Sequence, residues 1–342
     1  MKKIYLLCND KFSQSLYPWD GLSTMQIEYE FATHGIKSEV IDFNYIAQKG
    51  IDFFRGSVIV FGGSQNPVEK QVVEDYAYWL DRMGANIIPS YACLRSLENK
   101  GFQSLLNNAM IKRNNLDFYY NTSEKLKYID GFVYKTPDGA GSNGVFLCKS
   151  DSDYKIKIIK IILRKLSISN SANYLKQSIK KIIRWRYLQS KELYYKPRTS
   201  LVLQEYIKGL SFDYKVLVFG SKYFVLKRNI AKKDFRASGS NLFEIIDEVP
   251  LEVLDFAKYV FNTLDTPYCS LDITINSNKE TNLIEYQCTH FGPYTYLSAK
   301  SYFYIDQDEK WSRGPVIDTS LEKIYVDSIV EYIKSNDSTF CL

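Results

Sequence analysis

Residues Tyr268 to Pro293 read YCSLDITINSNKETNLIEYQCTHFGP, two hydrophobic runs separated by a polar turn. Such runs predict two β-strands, the first with Asp272 and the second with Glu285 and Gln287. Because side chains two residues apart on a strand point to the same face, Glu285 and Gln287 can face a ligand that Asp272 approaches from the neighbouring strand. Mg²⁺ is commonly held by one or two carboxylates together with water and substrate phosphates, so this stretch predicts such a site. An ordinary hairpin with polar residues on its solvent face is the alternative.

The composition of the 342-residue chain is typical of a globular protein with more than one compact unit. Hydrophobic residues make up 45% of the chain, and 28 Tyr and 20 Phe offer large side chains for burial. The six cysteines form no CxxC pair and there are two histidines, which argues against a zinc site and favours reduced thiols in a cytoplasm. The N-terminus is predicted to be a first strand and not a signal peptide, and no apolar stretch reaches the ~18 residues of a membrane span.

The positive charge is concentrated in one segment. The net charge of the chain is +5, but residues 155–198 contain thirteen Lys or Arg and one acid, Glu192. The segment therefore carries +12 and the remainder 5 − 12 = −7. The runs KIKIIKIILRKL and SIKKIIRWRYL place apolar residues at helical spacing among these cations. Such helices can lie on an anionic surface, whether membrane or nucleic acid, or form a solvated lid packed through its Ile and Leu stripe.

The first 98 residues alternate strand-like and helical runs, which predicts a parallel sheet covered by helices on both faces. The loop from Gly62 to Pro67 follows the run SVIVFG, at the carboxyl end of a strand where open α/β sheets bind ligands. We interpret this loop either as part of a substrate pocket or as a tight strand-to-helix turn.

A glycine-rich hairpin is predicted in GFVYKTPDGAGSNGVFLCKS, where Lys135 precedes the tip between Asp138 and Gly144. Backbone N–H groups in such a tip can approach phosphate closely, and the lysine at its base supplies a positive charge. The two interpretations are a flap over polyphosphate and a loose hairpin. The following runs, LVLQEYIKG and DYKVLVFGSKYFVLKRN, predict three further strands, and a helix from Pro250 to Leu264 leads to the stretch from Tyr268 to Pro293.

The order of these parts resembles the ATP-grasp superfamily of carboxylate–amine ligases and is similar to its ribosomal-protein-modifying glutamate ligase type. The resemblance extends from about Lys100 to Pro293, on QEYIKG followed by DYKVLVFG, KR with FRASGS, and LDITI with LIEYQ. It implies the ATP-grasp fold with a Rossmann-like pre-grasp N-terminal domain. The implied fold class is α/β and α+β. The implied domains are 1–98 (pre-grasp), 99–205 (lid subdomain with the basic helical segment 155–198) and 206–342 (C-terminal subdomain with the metal site).

The resemblance also implies a role for individual residues. ATP would be bound through phosphate-binding lysines, a glycine flap, an adenine-side linker and a ribose-binding acid with its neighbour on the same strand face: Lys100, Lys135, Gly139, Gly141, Ser142, Gly144, Gln204, Glu205, Tyr206, Ile207, Asp213 and Lys215. The cations at the transferred phosphoryl group and the acyl phosphate would be Arg228 and Arg236, and the Mg²⁺ ligands Asp272, Glu285 and Gln287. The third metal position is usually Asn, so Gln287 departs from the pattern.

By resemblance, ATP would phosphorylate a carboxylate and an amine would attack the acyl phosphate, giving an amide, ADP and phosphate. Arg236 with Ser238 and Asn241 would hold the carboxylate, and His290 is interpreted as a base for the amine or as a structural residue. The expected substrates are a small-molecule or saccharide carboxylate and an amine. The expected process is polysaccharide biosynthesis or peptide modification, in the cytoplasm or at the inner membrane surface. No nucleic acid is expected as a partner.

Two alternatives stay open. A non-catalytic nucleotide-binding protein would use the basic segment to dock on a partner, a membrane surface or nucleic acid. A nucleotide-sugar transferase with two Rossmann domains fits the first 98 residues but not the antiparallel-looking strands from Leu201 to Ile275.

Overall fold

The computed structural model describes residues 3–9, 11–12, 21–111, 117–121, 126–138, 144–231, 234–236, 242–317 and 319–336, without the side chains of residues 120 and 121. The chain divides into two compact units. The first comprises Met1–Leu97, Met110–Asn114 and Lys208–Leu342, and the second Glu98–Ala109 and Asn115–Ile207. The division into three domains at residues 98 and 205 stays a prediction.

The strands are β1 (Ile4–Leu7), β2 (Ser38–Ile41), β3 (Val58–Phe61), β4 (Asn86–Ile88), β5 (Asp117–Asn121), β6 (Phe132–Lys135), β7 (Val145–Leu147), β8 (Ser200–Glu205), β9 (Phe212–Phe219), β10 (Lys222–Asn229), β11 (Phe243–Ile245), β12 (Tyr268–Ile275), β13 (Thr281–Gln287), β14 (Ser301–Ile305) and β15 (Trp311–Pro315). The helices are α1 (Thr24–Thr33), α2 (Phe43–Lys49), α3 (Pro67–Arg82), α4 (Tyr91–Arg95), α5 (Lys100–Met110), α6 (Asp151–Arg164), α7 (Ile168–Ile182), α8 (Gln189–Tyr195), α9 (Leu251–Leu264), α10 (Tyr294–Ser298) and α11 (Leu321–Asn336), with a 3-10 helix at Ile51–Phe54.

The N-terminal part of the first unit is a four-stranded parallel sheet in the order β2-β1-β3-β4, as the sequence predicts. The strands β1 and β3 are buried on both faces, which is why they read as unbroken apolar runs. Alternate residues of these strands enter two different cores. Ile4 and Val58 belong to one core, and Tyr5 and Ile59 belong to the other.

The C-terminal part of the first unit is a seven-stranded sheet, ordered β13-β12-β9-β10-β14-β15 with β11 paired to β10. Its antiparallel pairs β9–β10 and β9–β12 align eight and six residue pairs, respectively. On one face, the apolar side chains of Leu217, Phe219, Phe224 and Tyr268 share a core with α11 and with one face of the parallel sheet. This shared core explains why the two sheets form a single compact unit.

The second unit contains the four-stranded antiparallel sheet β5-β8-β6-β7. On one face of it, Tyr134, Leu201 and Leu203 pack against Tyr154 and Ile158 of α6. The basic segment 155–198 is helical, as predicted, and forms most of α6 together with α7 and α8.

Among the described helices, none combines the length and the apolar composition that crossing a membrane requires.

Candidate functional site

A row of charged side chains lies on one face of the C-terminal sheet. Asp272 of β12 is aligned with Lys215 on β9 and with Glu285 on β13. Asp213 of β9 is aligned with Arg228 on β10. Because aligned residues and residues two apart share a face, all five side chains project to the same side of the sheet. The same face is apolar further along β9 and β12, so the charged row forms its polar end.

Arg228 is the centre of this row. Its Nε donates to Asp213 Oδ1 at 2.8 Å and its Nη2 to Asp213 Oδ2 at 2.7 Å, a bidentate pair. The same Nη2 lies 2.7 Å from Asp272 Oδ2. The three residues are at most 8% exposed. Burial raises the pKa of Asp213 to about 6, although Arg228 opposes the shift. Burial also disfavours the Arg228 cation, but Asp272 and Asp213 outweigh this and raise its pKa.

Lys215 extends the row toward β13. Its Nζ donates to Ser270 Oγ at 2.7 Å and lies 3.8 Å from Asp272 Oδ1. Burial lowers the pKa of Lys215, and the carboxylate of Asp272 opposes that shift. The turn after β13 passes close by, since a Cβ added at Gly292 would lie 3.8 Å from Lys215 Cε.

The three predicted Mg²⁺ ligands lie on two adjacent strands. Asp272 is directly opposite Glu285, Gln287 is opposite Ser270, and the register shifts between Asp272 and Ile273. Two carboxylates directly opposite each other repel, and a cation between them removes the repulsion. The donor set of two carboxylates and one amide oxygen therefore suits Mg²⁺ that also binds phosphate and water. No cluster of three or more His, Cys, Asp or Glu side chains suited to a metal ion occurs in the part of the chain that the structure describes.

The second unit has its own polar face. Lys135 and Gln204 are both buried, and Lys135 Nζ donates to Gln204 Oε1 at 2.5 Å. Asp117 of β5 is aligned with Gln204 and is buried on the same face. This face is opposite to the one that packs against α6, because Tyr134 and Leu203 alternate with Lys135 and Gln204.

The helix α5 buries polar residues rather than apolar ones. Lys100, Gln103, Ser104 and Asn107 are buried, at spacings that place them along one side of the helix. The helix lies near β5, because a Cβ at Gly101 would come within 2.7 Å of the Tyr119 ring. Tyr119 and Asp117 share a face of β5, so α5 contacts the sheet on its polar face.

The base of the glycine-rich hairpin has a position that only glycine fits. Gly144 has φ +77°, and a Cβ there would lie 2.1 Å from Thr136 Oγ1. The predicted flap residues Gly139, Gly141 and Ser142 lie outside the described residues. In the predicted adenine-side linker, Tyr206 N donates to Gly131 O at 2.8 Å, Glu205 is exposed, and Ile207 is partly exposed.

Arg236 pairs with a residue two positions before it. Its Nε and Nη2 each lie 2.9 Å from the Asp234 carboxylate, which also accepts from the Phe235 backbone N–H at 2.7 Å. The hydrogen bond from Arg236 is the main reason that the pKa of Asp234 is lowered to about 2. Ser238 and Asn241 lie outside the described residues.

A cavity of about 270 Å³ lies at the carboxyl ends of β1 and β3. It is lined by Cys8, Asn9, Lys11, Phe43, Ser64 and Glu69, among others. In the strand order β2-β1-β3-β4, the chain runs from β1 to β2 on one side and then continues with β3 on the other side of β1. Open α/β sheets bind ligands at such a switch point, at the carboxyl ends of the two strands. The wall at Gly63 approaches His290, since a Cβ there would lie 3.4 Å from His290 Cε1. His290 is buried, and its role as base or structural residue stays a prediction.

The structure adds three residues that the sequence analysis did not select. Ser270 binds Lys215, and its place two residues before Asp272 on the same face was a signal that could have identified it. Asp117 and Asp234 gave no comparable signal, because their relevance depends on which strand or loop residue they meet. The predicted site residues themselves group as described, with Asp213, Lys215, Arg228, Asp272, Glu285 and Gln287 on one face and Lys135 with Gln204 in the other unit.

Several solved structures are similar to this chain. One is the RimK domain protein ATP-grasp from Sphaerobacter thermophilus DSM 20745, with a TM-score of 0.53 and 10% identity over 95% of this chain and 98% of that chain. The D-cycloserine synthetase DcsG has a TM-score of 0.51 and 10% identity over 96% of this chain and 99% of that chain. The ATP-grasp ligase PsnB, complexed with minimal precursor, Mg and ADP, has a TM-score of 0.50 and 12% identity over 96% and 97%. Neither a protein-family profile nor a curated protein sequence matches the chain. The likeness over nearly the whole chain shows that this protein has the ATP-grasp fold, as the order of its sequence motifs predicts.

Proposed function

We propose that this protein is an ATP- and Mg²⁺-dependent ligase that joins a carboxylate to an amine as an amide. The observation that carries the proposal is a charged row on one face of a sheet in an ATP-grasp fold, in which Asp213, Arg228 and Asp272 are buried and Lys215 is partly buried. Burying two carboxylates and the guanidinium of Arg228 has a large desolvation cost, and apolar residues of similar volume would stabilise a sheet as well or better. A role in binding or catalysis therefore explains such a row better than a contribution to the stability of the fold does.

In the proposed reaction, a carboxylate oxygen attacks the γ-phosphorus of ATP, and the bond to the ADP oxygen breaks. The amine nitrogen then attacks the acyl carbon, phosphate leaves, and the nitrogen loses a proton. The first step needs chiefly positioning and neutralisation of charge. Lys100 and Lys135 would bind the phosphates of ATP, and the glycine-rich hairpin that ends at Gly144 would cover these phosphates.

The remaining roles fall to the linker and to the charged row. The linker 204–207 would hold the adenine, and Asp213 would lie on the ribose side. Asp272, Glu285 and Gln287 would hold Mg²⁺, which supplies positive charge to the phosphate oxygens when bound. Arg228 fixes the Asp272 carboxylate and places a cation beside it, and Lys215 adds a second one. We assign Arg236 to the acyl phosphate.

We propose that the carboxylate belongs to a small molecule, a peptide or a saccharide, and that the reaction takes place in the cytoplasm. The similar structures support only part of this range, because one is a D-cycloserine synthetase and another is a ligase complexed with a minimal precursor, and neither bears on a saccharide. The cavity at the ends of β1 and β3 supports a substrate pocket in the N-terminal part, since its Gly63 wall lies beside the turn that follows Gln287.

The test begins with nucleotide binding. ATP with Mg²⁺ should stabilise the protein against heat, by about 2.7 kcal/mol at a hundred times the dissociation constant. ADP release is then measured over panels of amino acids, peptides and uronic acids as carboxylates, each with candidate amines. Lys135→Ala should abolish the ATP stabilisation, and Glu285→Gln should abolish its Mg²⁺ dependence and ADP release.

Two matched variants control for general effects. Lys127→Ala removes an exposed lysine of the same unit, and Glu280→Gln changes an exposed glutamate in the turn between β12 and β13. Both should behave like the wild type. If Lys135→Ala or Glu285→Gln consumes ATP normally with the true substrates, the site is wrongly assigned. Stabilisation by ATP without ADP release for any substrate pair would favour the non-catalytic nucleotide-binding alternative.

A further inference from the structure

Helix α7 exposes its apolar side. Ile168, Leu175, Ile179 and Ile182 are spaced by seven, four and three residues, which places them along one stripe of the helix. Each is between 49% and 89% exposed. The buried residue of this helix is Gln177, on the opposite side, whose Oε1 accepts from Leu188 N at 3.4 Å. A helix packed as part of a soluble lid would show the reverse arrangement.

Helix α6 has exposed apolar residues of its own. On α6, Ile158 and Ile161 pack against the sheet, whereas Ile156, Ile159 and Leu163 are exposed at spacings of three and four residues. Past the end of α7, Ile183 and Trp185 are also exposed. We call the exposed apolar residues of α7 and its end the α7 stripe: Ile168, Leu175, Ile179, Ile182, Ile183 and Trp185.

Cations surround the α7 stripe. Lys176, Lys180, Lys181, Arg184 and Arg186 lie on the second half of α7 or directly after it. Lys180 Nζ is 5.5 Å and Arg186 Cζ is 5.3 Å from the Trp185 ring centroid. Glu192, the single acid of residues 155–198, pairs with Lys181 at 3.1 Å, and with this acid counted the segment carries a net charge of +12.

We propose that the α7 stripe lies on the surface of a membrane that contains anionic lipids. The apolar residues would enter the boundary between headgroups and acyl chains, and the surrounding cations would contact lipid phosphates. Exposed Trp and Ile beside Lys and Arg are the residues that such interfacial helices use. This proposal is independent of the ligase reaction, because none of these residues belongs to the proposed active site.

Other occupants fit the surface less well. A second copy of this chain would bring two segments of +12 together, and like charges on facing surfaces repel. Nucleic acid would match the cations but would leave the Ile and Leu side chains without an apolar partner, because its affinity comes mainly from phosphate contacts. An anionic membrane matches both the charge and the apolar stripe.

The test is sedimentation of the full-length protein with lipid vesicles. Vesicles of phosphatidylcholine with about 30 mol% phosphatidylglycerol should bind the protein, and vesicles of phosphatidylcholine alone should bind it far more weakly. Trp185 fluorescence should shift to the blue on binding, because the ring leaves water. The Trp185→Phe variant should lose this shift.

Two triple variants separate the apolar and the charged contributions. Leu175→Ser/Ile179→Ser/Ile182→Ser should weaken the partition coefficient at least about tenfold, because three apolar side chains no longer enter the lipid. Lys176→Gln/Lys180→Gln/Lys181→Gln should weaken it about 100-fold at low salt, at about 1 kcal/mol per cation. The controls are Met25→Ser/Leu251→Ser/Ile317→Ser and Lys300→Gln/Lys310→Gln/Lys334→Gln, which change exposed residues of the first unit and should bind like the wild type.

Three results would overturn the proposal. The first is no binding of the wild type to anionic vesicles at low salt. The second is vesicle binding that the Lys176 triple variant loses but the Leu175 triple variant keeps, since the apolar stripe would then have no contact with lipid. The third is a wild-type dimer in sedimentation velocity that the Leu175 triple variant converts to a monomer, because a second copy would then cover the stripe.

Discussion

Arg228→Met tests whether the charged row is as buried as its geometry indicates. The substitution keeps an unbranched apolar chain but leaves the Asp213 and Asp272 carboxylates without the cation that contacts both. Removing one partner of a buried ion pair typically costs about 3–5 kcal/mol, because the remaining charge stays desolvated. Lys215 remains 3.8 Å from Asp272, whereas Asp213 loses both hydrogen bonds from Arg228, so we expect a loss of about 4 kcal/mol in the free energy of unfolding.

The assay is urea denaturation, and tryptophan fluorescence monitors unfolding. All variants carry Trp185→Phe as a background substitution. Trp185 belongs to the second unit, whereas Trp79 and Trp311 lie in the first unit and Trp19 falls within its residue range, so the signal reports the unit with the charged row. Asp213→Asn and the double variant Asp213→Asn/Arg228→Met complete a double-mutant cycle, with an expected coupling of about 2–3 kcal/mol. The control is Arg313→Met, which breaks an exposed pair with Asp247 and should cost less than about 1 kcal/mol.

A loss for Arg228→Met that is no larger than the loss for Arg313→Met would refute the reasoning. Such a small loss would mean that water reaches the Asp213 carboxylate and screens its charge. The argument that the charged row is kept for function, which depends on its desolvation cost, would then fail. A coupling near zero in the cycle would contradict the bidentate pair itself.

Gly144→Ala should destabilise the second unit by about 1–2 kcal/mol more than Gly131→Ala does. Both positions have positive φ, but only at Gly144 would the new Cβ also meet Thr136 Oγ1. Equal melting temperatures of the two variants would contradict this close approach. The pH dependence of stability should include a contribution from Asp213, whose pKa is raised from 3.8 to about 6. Between about pH 4 and pH 6 the folded protein then binds more protons than the unfolded chain, so this contribution to the unfolding free energy falls as pH rises. The difference between wild-type and Asp213→Asn stabilities, measured by urea denaturation across this range, should show that slope, and a flat difference would exclude it.

Many elements of this fold could be predicted from local sequence because their patterns have physical causes within each element, but the strands and helices after Pro293 were not predicted. The buried strands β1 and β3 read as apolar runs, and α3 begins with the cap Asn66 and with Pro67 at its first position. The same-face spacing of Glu285 and Gln287 follows from the period of a strand, so the prediction of a site on the stretch from Tyr268 to Pro293 needed no structure.

The partners within the candidate site depend on how strands align. The sequence predicted Arg228 and Asp213 as separate contacts to ATP, but the register of β9 and β10 places them against each other. Asp117 lies beside Gln204 only because β5 pairs with β8, which is more than eighty residues away along the chain. No local pattern encodes such an alignment.

The sequence alone determined the alternating strands and helices of the N-terminal part, the glycine-rich hairpin, the metal-ligand candidates and the basic helical segment, because each depends on periodicity, turn chemistry or residue type over a few neighbouring positions. The tertiary structure decided which carboxylate holds Arg228, that α5 turns its polar side inward, and that α7 turns its apolar side outward. These outcomes depend on which surfaces of distant segments meet. Burial and pairing are properties of the packed chain, and helical spacing shows only that one side of α7 is apolar, not what covers it.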